Sequence, residues 1–80
     1  MKLIEKEQKM DIQVGDRVEI VNIGTFLNPT AQKNWGIGIG SKGKVILTWE
    51  HPPFLAVKFD EQEIESEIEL PAYYLKKIET

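Results

Sequence analysis

The stretch Lys44-Val45-Ile46-Leu47-Thr48-Trp49-Glu50-His51-Pro52-Pro53-Phe54-Leu55-Ala56-Val57-Lys58-Phe59 decides the fold class. Both of its ends are rich in β-branched and aromatic side chains, which suit a pleated, half-buried surface. Between them His51-Pro52-Pro53 turns the chain, because neither proline has an N–H to give to a ladder. The stretch therefore predicts two strands, 44–49 and 54–59, joined as an antiparallel hairpin with Leu55, Val57 and Phe59 on one face.

Toward the C-terminus, Asp60-Glu61-Gln62 reads as a turn, and Glu63-Ile64-Glu65-Ser66-Glu67-Ile68-Glu69-Leu70 then alternates without error. That alternation predicts a fourth strand with Ile64, Ser66, Ile68 and Leu70 inward and Glu63, Glu65, Glu67 and Glu69 outward. Pro71 ends it, Ala72-Tyr73-Tyr74 suits one 3₁₀ turn, and residues 75–78 offer a short last strand. Toward the N-terminus, a turn at Gly15-Asp16 launches Arg17-Val18-Glu19-Ile20-Val21, with Val18 and Ile20 facing a core. Residues 24–43 hold five of the six glycines and read as a long Gly-rich loop between strands 1 and 2. The mixed-charge residues 1–13 read as a flexible N-terminal segment before a single domain over 14–80. Five short strands in a chain of this size cover both faces of a bent sheet by curling into a small barrel, so the expectation is all-β.

Composition agrees and sets limits. Val and Ile number 15 against 11 for Leu, Ala and Met together, and the 41% apolar content of 80 residues supports one small core without room for a large interior active site. The net charge of −3 lacks the strong positive field that non-specific nucleic-acid binding draws on. The absence of Cys rules out a disulfide, a thiolate metal site and a thiol nucleophile, and it fits a reducing, cytoplasmic setting. No apolar run is of bilayer length, and Met1-Lys2-Leu3-Ile4 gives way at once to Glu5-Lys6-Glu7, so neither membrane insertion nor a secretory signal is expected.

The ordered set Val14-Gly15-Asp16-Arg17-Val18-Glu19-Ile20-Val21, Gly24-Thr25-Phe26, Gly40-Ser41-Lys42-Gly43-Lys44-Val45 and Phe54-Leu55-Ala56-Val57-Lys58-Phe59 resembles the SH3-like barrels of the KOW type. The ending Leu70-Pro71-Ala72-Tyr73-Tyr74-Leu75-Lys76-Lys77-Ile78 is similar to the Pro-x-x-Tyr close of SH3 domains. A third resemblance is to the similar architecture of the photosystem I PsaE subunit, other small cyanobacterial SH3-like proteins and nitrogenase accessory proteins of the NifZ type. The resemblance covers residues 14–78 and implies a five-stranded SH3-like barrel. It also implies docking onto a larger complex, or, for the KOW type, an association with RNA, the ribosome or transcription.

Motifs for catalysis fail on their context. Gly38-Ile39-Gly40-Ser41-Lys42-Gly43-Lys44 matches seven positions of a phosphate-binding P-loop, yet Val45 stands where Ser or Thr should hold magnesium, and strand-like residues follow where a helix is needed. Ser41, His51 and Asp60 supply the residue types of a hydrolase triad with nothing to order them. No enzyme activity, cofactor or metal is expected. Residues 60–69 carry −6 on Asp60, Glu61, Glu63, Glu65, Glu67 and Glu69, leaving +3 on the other seventy residues. This row reads as a charged edge that resists aggregation, as an acidic docking face for a basic partner formed by Glu63, Glu65, Glu67 and Glu69, or as a weak cation-binding surface.

The expected function is that of a monomeric binding module, an accessory or adaptor subunit that takes a protein partner through Phe26, Trp35, Ile37, Trp49 and Tyr74. Trp35 either folds back over the barrel or stands at the loop tip as an interface anchor. The alternative is RNA, held by Arg17, Lys33, Lys42 and Lys44 together with a stacking ring.

Overall fold

The computed structural model describes residues 12–50 and 53–78. The expected flexible segment, apart from its last two residues, and His51 of the candidate triad lie outside them. The chain forms strands β1 (Arg17–Ile20), β2 (Lys42–Glu50), β3 (Pro53–Phe59), β4 (Ile68–Pro71) and β5 (Leu75–Lys77). They make one five-stranded antiparallel sheet in the order β4-β3-β2-β1-β5. The fold is all-β with one short helix, and among the described residues no helix is long and apolar enough to cross a membrane.

The hairpin forms as its sequence predicts, from Gly43↔Phe59 to Glu50↔Pro53, with a bulge between Val45 and Leu47. Its inward residues Val45, Leu55, Val57 and Phe59 meet Val18 and Ile20 of β1, Ile68 and Leu70 of β4 and Leu75 of β5 in one core cluster, which Ile12 and Leu27 also join.

Two expectations are corrected. The segment between β1 and β2 is a folded unit: a 3₁₀ turn η1 (Thr25–Leu27), then a helix α1 (Pro29–Trp35). Asn28 caps the helix by accepting the Ala31 N–H at 2.9 Å, and Pro29 takes the first position, where its missing N–H costs nothing. Gly36 closes it at φ 74°, a left-handed conformation that favours glycine, with its N–H on the Gln32 carbonyl at 2.8 Å.

The fourth strand is half the length that the alternation predicts. Residues 63–66 are a bend, and β4 begins at Ile68. The cause is Gln62, whose side chain does the work of a ladder. Its Oε1 accepts the Phe59 N–H at 2.7 Å, while its Nε2 donates to the carbonyls of Ile64 at 2.8 Å and Ser66 at 2.7 Å. Backbone groups satisfied in this way have no need of a neighbouring strand. Ile64 still packs against the core, but Ser66 is exposed rather than inward. A second 3₁₀ turn, η2 (Ala72–Tyr74), leads into β5 where the sequence predicts it.

Candidate functional site

Register places one row of side chains across the outer side of the hairpin. Trp49 of β2 faces Phe54 of β3, and Phe54 faces Pro71 of β4. Directly opposed residues of antiparallel strands point to the same side of the sheet, so Trp49 and Phe54 form an apolar ridge that ends against the buried Pro71. Phe26 completes it, meeting Phe54 edge to face with ring centres 5.4 Å apart and planes at 89°.

The position of Phe26 is enforced from below. Leu27 is fully buried and anchors η1, whose turn closes through Leu27 N–H to the Gly24 carbonyl at 2.9 Å. The Phe26 N–H donates to the Tyr74 hydroxyl at 3.1 Å. Gly24 is required for that approach, because a Cβ there would lie 2.5 Å from the Tyr74 hydroxyl oxygen. Tyr74 is 2% exposed, and its carbonyl accepts the N–H groups of Val21 at 2.8 Å and Asn22 at 3.2 Å. The η2 turn is thereby tied to the exit of β1. Above this support Phe26 remains 51% exposed and Trp49 39% exposed. Tyr73, which is exposed, stacks edge to face on Tyr74 at 5.2 Å.

Of the five residues expected to bind a partner, Phe26, Trp49 and Tyr74 come together, with Tyr74 as a support beneath the surface. Ile37 is a core residue, and Trp35 is half-buried against the core with its carbonyl accepting the Glu63 N–H at 2.8 Å. The loop therefore folds back, and neither residue belongs to the ridge. Phe54 and Tyr73 were not singled out in the sequence. The pairing of the hairpin, counted back from its proline turn, was the available clue to Phe54.

The expected cationic residues divide. Arg17 faces Lys44, and Lys44 faces Lys58, making a row of three cations on β1, β2 and β3. Arg17 is held by Asp60 through two bonds of 2.9 and 2.7 Å, and the Lys58 ammonium donates to the Glu65 carbonyl. Lys42 faces Glu19, which faces Lys76, so charges alternate in the next row. Lys33 is in the last turn of α1 and stands apart from these rows. The Arg17 hydrogen bonds hold the Asp60 carboxyl below its ordinary value of 3.8, against a smaller opposing push from desolvation.

Glu63, Glu65, Glu67 and Glu69 are all exposed, but only Glu69 is on β4, and no single strand aligns them. Among the described residues no group of three or more His, Asp or Glu is placed to hold a metal. A pocket of about 150 Å³ is lined by Gly40, Ser41, Lys42, Asp60 and Glu61. The backbone after Ser41 enters β2, so the glycine-rich run opens onto a strand and not onto a helix. The sequence matches no known protein-family model, no curated protein and no solved structure.

Proposed function

We propose that the chain is an SH3-like barrel that acts as a non-catalytic binding module, an accessory or adaptor subunit docking a protein partner on the ridge of Phe26, Trp49 and Phe54. The barrel is supported by the strand order, in which β1 pairs with both β2 and β5, and by the η2 turn that carries the chain from β4 to β5. The observation that carries the docking reading is the exposure of Phe26 and Trp49 above a rigid support. Phe26 is kept in water by a buried tyrosine and a glycine that makes room for it, Trp49 is placed beside Phe54 by the hairpin register, and aromatic groups so held are the usual anchors of interfaces. The row Arg17–Lys44–Lys58 favours the second reading, single-stranded RNA, since opposed like charges gain from a polyanion.

Capture from the native host on the immobilised chain separates the two. For a protein partner, Trp49→Ala or Phe26→Ala weakens capture by about 2 kcal/mol or more, roughly thirtyfold, while Lys42→Glu with Lys44→Glu leaves it intact. Retention of single-stranded RNA that falls steeply with salt and is lost in the double Glu variant refutes the first reading in favour of the second. A cytoplasmic location belongs to both.

A further inference from the structure

Strand β1 accompanies β2 only as far as Val45, whose N–H donates to the Asp16 carbonyl and whose carbonyl accepts the Gly15 N–H, both at 2.9 Å. From there to Glu50, β2 is bonded to β3 on one side, and among the described residues no backbone group pairs with it on the other. The bulge fixes what that open side presents. It advances the register from Val45↔Val57 to Leu47↔Ala56, one extra residue on β2. Val45 directs its backbone groups toward β1, so after the inserted residue Thr48 and Glu50 direct theirs the same way, into space that β1 has left.

The two edges that are also unpaired among the described residues carry protection. β4 is flanked by Glu67, bears Glu69 and ends in Pro71, and β5 bears Lys76 and Lys77. The open edge of β2 reads Ile46-Leu47-Thr48-Trp49, with no Lys or Pro, and Ile46 and Leu47 are 43% and 49% exposed. Unpaired N–H and C=O groups in a row accept one kind of occupant, an extended strand.

We propose that this occupant is the same edge of a second copy of the chain, paired antiparallel about a two-fold axis at Thr48. In that register Thr48 faces Thr48 of the second copy and the two exchange both backbone bonds. Leu47 faces Trp49 of the second copy in the closer, non-hydrogen-bonded type of pair, and symmetry repeats the contact. The edge is thus complementary to itself in backbone phase and in side chains. Both outer sides then lie on one side of a continuous sheet, which doubles the aromatic ridge. The contact covers about 400 Å² per copy, half the ~800 Å² of a standard interface, so the dimer is weak and reversible, with a Kd on the order of 100 µM.

Sedimentation equilibrium of the whole chain between ~10 µM and ~1 mM tests this, with an average mass expected to rise from 9.2 kDa toward twice that value. Leu47→Lys changes an exposed side chain only, and it is expected to raise the Kd by about tenfold or more with an unchanged circular dichroism spectrum. Thr48→Pro removes an outward N–H and acts in the same direction; if that variant fails to fold, Leu47→Lys decides alone. In this cysteine-free chain, Thr48→Cys is expected to cross-link on oxidation and Lys33→Cys is not. A mass of 9.2 kDa persisting at ~1 mM overturns the proposal, as does a dimer indifferent to Leu47→Lys. Concentration-independent protection of the Thr48 amide from exchange also overturns it, since the edge is then filled from within the chain.

Discussion

Adding one methyl group at Gly24 should cost stability only while the Tyr74 hydroxyl is present. Gly24 has an extended backbone, φ −168°, that any residue adopts, so Gly24→Ala is free of backbone strain. Its cost is steric: the new Cβ would lie 2.5 Å from the phenol oxygen, and the next atom, the ring carbon bearing that oxygen, is at 3.2 Å. Overpacking of this kind costs about 1–3 kcal/mol. Tyr74→Phe alone leaves the Phe26 N–H without its acceptor, a loss of about 1 kcal/mol, which for a domain of this length lowers Tm by roughly 4–8 °C. With the oxygen gone the clash relaxes to a tight contact, while alanine still reduces the freedom of the unfolded chain by about 0.4–1 kcal/mol. Gly24→Ala in the Tyr74→Phe background is therefore expected to be close to neutral. The double variant should be more stable than the sum of the two losses predicts by about 1 kcal/mol or more. Urea denaturation of the four proteins, followed by circular dichroism, measures the coupling. Equal costs of Gly24→Ala in both backgrounds refute the contact and, with it, the way Phe26 is held at the ridge.

Trp35→Ala should lower stability by about 2–3 kcal/mol, since the indole packs against the core, and it should leave partner capture unchanged once the protein is folded; capture lost at unchanged Tm would return Trp35 to the interface. The Arg17–Asp60 pair gives a pH dependence of definite sign. The folded carboxyl titrates below its ordinary 3.8, so the stability it adds is complete above that value and is lost as pH falls through the lower, folded one. The Tm difference between the protein and Asp60→Asn should thus be level at neutral pH and shrink only as pH falls below the ordinary 3.8 and through the lower, folded value, and it should be small throughout because the pair is largely exposed. A difference that grows on acidification contradicts the pairing.

What was legible in the sequence was whatever local chemistry determines. The hairpin, β1, the turn at residues 72–74 and β5 follow from alternation and from residues that cannot continue a strand. The helix α1 was written there too, in Asn28-Pro29 at its start and Gly36 at its end, but seven residues set among glycines give too little periodicity to stand out. The strand expected over residues 63–70 failed for a different reason: perfect alternation permits pairing but does not compel it, and one glutamine satisfied the backbone first. The site was half visible. Aromatic residues were evident as types, but which of them share a side depends on a bulge and on pairings across the sheet, and Trp35 and Ile37 were drawn inward by a helix that was not foreseen.

Pairing of β1 with β5 joins segments from opposite ends of the described chain. During synthesis, the first strand must wait beside an empty place until residues 75–77 have left the ribosome, and loop-closure entropy makes this a slow contact to form. Meanwhile the hairpin can already zip up on its own. Nascent chains stalled short of residue 75 should therefore hold the ridge's two strands while lacking the scaffold that keeps Phe26 in place, so competence to bind would arrive in a single late step.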